Sequence, residues 1–311
     1  MSERTVRVRS LTTFAEDGEL DEDAYRQFLQ RFVDSRLGVY IGGGSACEGY
    51  ALTPDEFRRA YEIGVSVCKG KVFIGSNAAE VHTARDTIEQ AKIAIGAGVD
   101  VVNIYGPAGW HGYRPNREEY LTFFDRILTE VKYPVSVAPN PTALDYLPEA
   151  SWIADICNKH MQVVSVNFGG IYDDTYLIEL KDRFVREVET YITMPFALSG
   201  FAMGATGLNA WEANILPKTY RSFLDYYDAG SMSDVGRLYT DIRRFEKFVH
   251  SNYHERWFKM ALKVFKLPGG KGGFREPYLM PGDDVLEQFA ASLMALNIPE
   301  IDEMARTAGL A

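Results

Sequence analysis

Cysteine and histidine are both scarce in this chain. The three cysteines, Cys47, Cys68 and Cys157, show no Cys-x-x-Cys spacing, so neither a disulfide framework nor a zinc knuckle is indicated. Unpaired cysteines are typical of a reducing compartment. The five histidines form no His-x-His or His-Glu-x-x-His pattern, and no carboxylate cluster is expected at the strand ends. We therefore predict that the protein holds no metal ion and needs no cofactor.

Positive charge and long apolar runs are also lacking. The chain has 33 lysines and arginines against 43 aspartates and glutamates, a formal net charge of -10. Broad nucleic-acid binding needs a positive field, although a pocket can still be locally positive and accept an anionic substrate. No run is long enough to cross a bilayer, and the polar segment 1–9 does not resemble a signal peptide. We predict a cytoplasmic protein that binds neither nucleic acid nor membranes.

Apolar segments of strand length alternate with amphipathic segments of helix length along most of the chain. With 46% hydrophobic and 24% charged residues, the 311-residue chain suits a soluble protein with one large barrel and a small appendage. Continuous apolar strands favour a parallel sheet covered by helices. Eight are predicted, at 5–11, 38–42, 71–76, 99–105, 134–138, 162–167, 194–199 and 205–209. They predict a TIM (β/α)8 barrel; the alternative, an open doubly wound sheet, lacks a glycine-rich turn after its first strand.

The same pattern predicts where helices begin and where the barrel ends. Thr53 precedes a helix with Glu56 at the spacing of a capping box. After Gly230 the strands stop, and three helical segments follow, at about 233–250, 254–267 and 283–296. We therefore predict the barrel at 1–229 and a C-terminal helical appendage at 230–311.

Motifs at the strand ends indicate a family, because barrel enzymes place their chemistry at the carboxyl ends of the strands. The most informative are Gly44-Ser45-Ala46-Cys47-Glu48-Gly49, Tyr113-Arg114-Pro115, Leu198-Ser199-Gly200 and Lys259-Met260-Ala261-Leu262-Lys263. Each is weak alone. Their order and spacing resemble the dihydrodipicolinate synthase and N-acetylneuraminate lyase family over essentially the whole chain.

The resemblance implies a homotetramer made of tight dimers, a small organic acid as substrate, and imine chemistry. In the family a lysine at the end of the sixth strand forms a Schiff base with a 2-oxo acid, and a tyrosine at the end of the fifth relays protons. In this chain Asn167 and Ala138 stand at those two positions. An amide cannot form an imine, so the sequence predicts a changed mechanism.

Eight residues at or beyond the predicted strand ends are expected to bind the ligand: Gly44, Ser45, Ala46, Glu48, Ala138, Asn140, Ser199 and Gly200. The loop 44–46 offers backbone N–H groups to an anion, or is a turn needed only for packing. Glu48 is a buried structural acid or, alternatively, a general base. Cys47 as a nucleophile is a further alternative, although most free cysteines are inert.

Three residues are the predicted catalytic groups: His111, Tyr113 and Asn167. His111 suits proton transfer near neutral pH, and it shares a lengthened fourth-strand loop with Tyr113. In the alternative interpretation this loop only shields the site, or Tyr113 crosses a dimer interface as the comparable family tyrosine does. Asn167 polarises a carbonyl or holds a water, or it merely fills space.

Two functions follow from these observations. The first is a lyase or hydro-lyase that acts on a small 2-oxo or hydroxy acid by acid–base and hydrogen-bond catalysis instead of an imine. The second is a non-catalytic binding or regulatory protein on the same barrel, which binds a small acid without turning it over.

Overall fold

Eight parallel strands form a closed barrel in the computed structural model, which describes residues 4–44, 47–77, 81–171 and 173–310. Each strand pairs with the next, and β8 closes the barrel by pairing with β1, where Val6 lies opposite Leu208. The strands are β1 Val6–Arg9, β2 Gly38–Ile41, β3 Ile74–Asn77, β4 Val101–Tyr105, β5 Val135–Ala138, β6 Val163–Asn167, β7 Glu189–Ile192 and β8 Gly207–Ala210. The predicted TIM barrel with a C-terminal helical segment is confirmed.

Polar and apolar residues alternate along several strands, so the predicted continuous apolar runs are wrong. β1 reads Val-Arg-Val-Arg, and β6 ends in Val-Ser-Val-Asn. Successive side chains of a strand point to opposite faces. The valines Val6 and Val8 are fully buried in the core, whereas polar side chains meet across the barrel: the Tyr40 hydroxyl of β2 lies 2.9 Å from the Ser136 hydroxyl of β5. The barrel interior is polar.

Helices follow the strands and cover the barrel. They are α1 Glu22–Asp34, α2 Pro54–Cys68, α3 Ala84–Ala97, α4 Arg117–Glu130, α5 Pro141–Leu144, α6 Ala150–Lys159, α7 Asp174–Arg183, α8 Ala197–Ala202 and α9 Pro217–Asp228. The predicted capping box at α2 is confirmed. The Thr53 hydroxyl accepts from the Glu56 amide, and the Glu56 carboxylate accepts from the Thr53 amide at 2.8 Å.

The seventh strand lies earlier in the chain than predicted. The apolar run 194–199 begins with a 3-10 turn, Met194–Phe196, and continues into α8. Pro195 has no N–H to give to a sheet, which favours the turn. The true strand starts at the charged residue Glu189, which faces the barrel interior and forms an ion pair with Arg7 at 2.9 Å. The sequence pattern did not predict this strand, because the ion-pair partner of Glu189 is Arg7 on the distant strand β1.

The C-terminal segment contains α10 Met232–Asn252, α11 Trp257–Val264, α12 Asp283–Met294 and α13 Pro299–Ala308. The last of these was not predicted. Lys259 of α11 is buried and forms an ion pair with Glu48, beyond β2, at 2.9 Å, which ties the tail to the barrel. The boundary at residue 230 stays a prediction. No helix in the described part of the chain is both long and apolar enough to span a membrane.

Candidate active site

A chain of amides and hydroxyls fills the barrel interior at the carboxyl end of β6. The Asn167 side chain is fully buried, and its amide nitrogen donates to the Tyr40 hydroxyl at 2.9 Å and to Asn103 Oδ1 at 2.8 Å. Asn103 in turn donates to Asn77 Oδ1 at 2.6 Å. Four strands therefore hold the Asn167 amide in one orientation. Its oxygen is buried and has no hydrogen-bond partner among the described residues.

Two arginines of β1 also point into the barrel. Arg7 and Arg9 are buried, and the guanidinium of Arg9 donates to the hydroxyl of Tyr105 and to Asn209 Oδ1. Sequence reasoning did not select them as site residues. The alternation Val-Arg-Val-Arg could have indicated them. In a barrel strand covered by helices, the valines pack against the helices, and the arginines then point into the barrel interior.

The small side chain of Ala138, on β5, leaves space for the Tyr105 ring that contacts Arg9. This side chain is fully buried beside the ring, and Tyr105 is the partner of Ala138 on β4. The tyrosine near this position thus comes from β4 and binds Arg9. Asn140 is also buried; its side chain caps α5 by accepting from the Thr142 amide at 3.0 Å.

A cavity of about 800 Å³ opens at the mouth of the barrel, between the carboxyl ends of β6 to β8 and the tail helix α10. Its floor includes Gly169, Asn209 and Trp211. The helix contributes a row of charged side chains along its wall: Arg243, Arg244, Glu246, Lys247 and His250. A small polar molecule would therefore meet hydrogen-bonding groups on the floor and titratable groups on the wall.

Two carboxylates share a hydroxyl beside this cavity. The Tyr220 hydroxyl lies 3.4 Å from Glu212 and 3.2 Å from Glu246, so it can donate to only one of them at a time. Glu212 also pairs with His250 at 2.7 Å, and Glu246 pairs with Arg243. Both carboxylates are nearly buried, with 9% of Glu212 and 6% of Glu246 exposed.

This cluster has perturbed proton affinities. Burial, followed by the charge of Glu212, raises the pKa of Glu246 to about 8, although Arg243 and Tyr220 oppose the shift. Burial lowers the pKa of His250, but the hydrogen bond and negative charge of Glu212 outweigh it, and the net shift is upward. Groups that titrate near neutral pH at a barrel mouth are suited to acid–base catalysis. No sequence motif indicated them, because nothing local places α10 over the mouth.

The loop after β2 is partly outside the described residues. Ser45 and Ala46 fall there, so their predicted roles rest on the sequence alone. Gly44 is partly exposed. Glu48 is buried, with 2% exposed, and accepts from the Arg275 amide at 3.1 Å as well as pairing with Lys259. These contacts join the loop to the tail, which is the structural alternative foreseen for Glu48.

The loop after β4 carries His111 and Tyr113 into solvent. Tyr113 is 82% exposed, and backbone hydrogen bonds between Trp110 and Tyr113 form a tight turn around His111. Neither residue lines the cavity described above. Their catalytic roles stay predictions.

Ser199 and Gly200 do not end a strand, and this part of the prediction is wrong. Both lie in α8, where the Ser199 hydroxyl donates to the carbonyl of Phe196 at 3.3 Å. A Cβ on Gly200 would stand 2.2 Å from Ile192 of β7, so the glycine allows the helix to pack closely on the barrel. Both residues were expected to bind the ligand because they resemble a family motif and were placed at the end of the seventh strand; their roles in ligand binding stay predictions.

A polar barrel with titratable groups at the carboxyl ends of its strands has the architecture of a TIM-barrel enzyme. The model of the dihydrodipicolinate synthetase family matches residues 3–296, and the chain belongs to that family. The predicted family is thus confirmed, and the chain is a member of a lyase family.

Known proteins match between 75% and 96% of the chain. A 4-hydroxy-tetrahydrodipicolinate synthase of a Nitratiruptor species is 28% identical over 247 residues, 75% of this chain and 77% of the relative. An uncharacterized DapA-like lyase of Rhizobium meliloti is 23% identical over 301 residues, 93% of this chain and 94% of the relative. The crystal structure of a dihydrodipicolinate synthase from Bacillus anthracis superimposes with a TM-score of 0.84 at 19% identity, covering 96% of this chain and 99% of that one. The tetramer and the cytoplasmic location stay predictions.

Proposed function

We propose that this chain is a lyase or hydro-lyase that acts on a small 2-oxo or hydroxy acid without forming an imine. One observation carries the proposal: β6 ends at Asn167, whose amide is buried and donates to Tyr40 and Asn103. An amide nitrogen is not a nucleophile toward ketones. Lys259 is the one buried lysine among the described residues, and its ammonium group is engaged by Glu48.

Acid–base groups beside the cavity support this chemistry. Loss of water from a hydroxy acid requires a base that takes a proton from the carbon next to the carboxylate. The electron pair then forms the double bond, the C–O bond breaks, and the departing hydroxyl takes up a proton and leaves as water. With a pKa of about 8, Glu246 both holds and releases a proton near neutral pH. In the proposal Glu246 exchanges the proton, and Tyr220 and Arg243 orient its carboxylate.

Asn167 and the loop after β4 have supporting roles in this proposal. The unpartnered, buried oxygen of Asn167 accepts a hydrogen bond from a substrate hydroxyl or a bound water. The predicted roles of His111 and Tyr113 require the predicted tight dimer, in which a second copy of the chain would cover their exposed loop.

A screen for turnover tests the proposal. 2,3-Dihydroxy acids of three to six carbons, whose loss of water gives an enol that becomes a 2-oxo acid, are incubated with the protein, and the 2-oxo acids are measured as hydrazones. The wild type should turn over at least one acid, and Glu246→Gln should lower kcat by about 100-fold or more, the usual size of an acid–base contribution. The control is Glu62→Gln, an exposed acid on α2, which should keep full activity. Unchanged turnover in Glu246→Gln would contradict the acid–base assignment. Tight binding without turnover of any acid would favour the non-catalytic alternative.

A further inference from the structure

We infer that Arg9 is the group that binds the carboxylate of the ligand at the mouth of the barrel. This inference rests on the proposed function, since it names the contact that holds the substrate. Arg9 is the last residue of β1, and 4% of it is exposed. Its Nε lies 3.4 Å from Asn209 Oδ1, and its Nη1 donates to the Tyr105 hydroxyl. The remaining nitrogen, Nη2, is buried and has no hydrogen-bond partner among the described residues.

Arg7 lies two residues earlier on the same face of β1 and serves as a comparison, because its charge is neutralised within the barrel. Its guanidinium forms an ion pair with Glu189 at 2.9 Å and donates to the Ser165 hydroxyl at 3.1 Å. The aromatic rings of Phe73 and Tyr191 lie 4.0 and 3.6 Å from it. Arg9 has only neutral hydrogen-bond partners in the described ranges, and no acidic side chain there forms an ion pair with it.

A buried positive charge without a counter-ion is unfavourable, because its lost hydration is not replaced by an opposite charge. Such a charge is retained when a bound anion neutralises it. The side chains around Arg9 connect it to the cavity, since Asn209 and Trp211 both line that space, and the Trp211 ring centre is 5.9 Å from the guanidinium carbon. Arg9 does not itself line the cavity, so in this inference an anion on the floor reaches Nη2 by passing between the side chains of Asn209 and Trp211.

The choice of a carboxylate follows from the proposed function. A guanidinium pairs well with either a carboxylate or a phosphate. The cavity wall carries Arg243, Arg244 and Lys247 as well as Glu212 and Glu246, so its charge admits either anion, and a small organic acid is the ligand that the proposed function requires. This placement of the carboxylate also directs the rest of the ligand away from β1 and toward Glu246, where the proposed proton transfer occurs.

Thermal unfolding with and without anions tests the inference. Pyruvate and glycerate, each up to about 50 mM as an assay choice, should raise the Tm of the wild type, because a ligand that binds only the folded state stabilises it. Pyruvamide, which has no charge, should not. In Arg9→Met the pyruvate and glycerate Kd should rise by about 10- to 100-fold, as expected when a hydrogen bond to a charged group is lost. Arg58→Met, which removes an exposed arginine of α2, should respond as the wild type does.

The unliganded variants separate a binding role from a structural one. Without ligand, Arg9→Met should unfold at a temperature no lower than the wild type, because the variant removes an unpaired buried charge. Arg7→Met should unfold at a clearly lower temperature, because it removes the buried hydrogen bonds to the Tyr40 and Ser165 hydroxyls as well as the ion pair with the half-exposed Glu189. A Tm loss in Arg9→Met as large as in Arg7→Met would overturn the inference. An absent wild-type response to both acids, an equal response in Arg9→Met, or a larger response to inorganic phosphate than to either acid would also overturn it.

The two proposals fail separately. If the wild type turns over a hydroxy acid and Arg9→Met keeps the same KM, Arg9 is not the carboxylate site, while the lyase assignment stands. If the acids bind through Arg9 but no acid is turned over, the carboxylate site stands, while the lyase assignment fails.

Discussion

Replacing Glu246 with glutamine should remove a loss of stability that the wild-type protein undergoes as the pH rises toward 8. The carboxyl lies beside Glu212, Tyr220, Arg243 and, through Glu212, His250. Burial and the charge of Glu212 raise its pKa from 4.5 to about 8. The folded protein therefore holds a proton that the unfolded chain has released. Its contribution to stability is complete below pH 4.5 and is lost as the pH rises through the folded pKa.

The size of the effect follows from the gap between the two pKa values. Each unit corresponds to about 1.4 kcal/mol, so the shift to about 8 corresponds to about 5 kcal/mol at most. Glu212 and His250 adjust their own protonation when Glu246 ionises, which reduces this value, so about 2–5 kcal/mol is expected. Glutamine matches the protonated acid in shape. The variant should thus lie within about 1 kcal/mol of the wild type near pH 5 and be more stable than the wild type above pH 8.

Urea unfolding of both proteins at a series of pH values measures this difference. Glu300, whose pKa is also raised, titrates in both proteins and cancels in the comparison. His250 does not cancel fully, because the charge of Glu246 contributes to its raised pKa, so the measured difference belongs to the pair of groups. The free-energy difference between variant and wild type should change steadily between about pH 5 and 8.5. A difference that stays constant over this range would refute the view that Glu246 holds a proton at neutral pH.

Two further predictions concern buried groups. Lys259→Met leaves the carboxylate of Glu48 buried without its partner, so the free energy of unfolding should fall by about 3–5 kcal/mol in urea titrations, and the double variant Lys259→Met/Glu48→Gln should recover part of this loss. If the double variant is no more stable than Lys259→Met, the broken ion pair is not the source of the lost stability. Burial raises the pKa of both Cys68 and Cys157 to about 12, so neither thiol should react with iodoacetamide in the native protein at pH 8. Mass spectrometry after a one-hour incubation checks this, and rapid native labelling of either cysteine would contradict the buried placement.

Local patterns predicted most of the fold. The capping box at Thr53 and the lengths of the apolar segments depend on neighbouring residues only, and the structure places a helix and strands there. The seventh strand was misplaced because Glu189 is neutralised by Arg7, 182 positions away. The same error explains why α8 was not predicted, because its apolar residues were assigned to the seventh strand.

The candidate site was less predictable than the fold. Asn167 could be placed at the end of β6 because the predicted strand 162–167 and the resemblance to the family both end there. Arg9 was overlooked because its role depends on which face of β1 points inward. Glu246 and His250 belong to the tail helix α10. Tertiary packing places this helix over the barrel mouth, and no local sequence motif predicts that position.

Intact-protein mass spectrometry during turnover tests the central claim most directly, namely that the chain does its chemistry without an imine. The wild type is supplied with an acid that it turns over, sodium borohydride is added, and the protein is weighed. Asn167→Lys, treated with pyruvate in the same way, tests whether an amine at the end of β6 can be trapped. We expect product formation with an unmodified wild-type mass, and a reduced pyruvate adduct in Asn167→Lys. A borohydride-dependent adduct on any lysine of the wild type, formed in step with turnover, would contradict the claim.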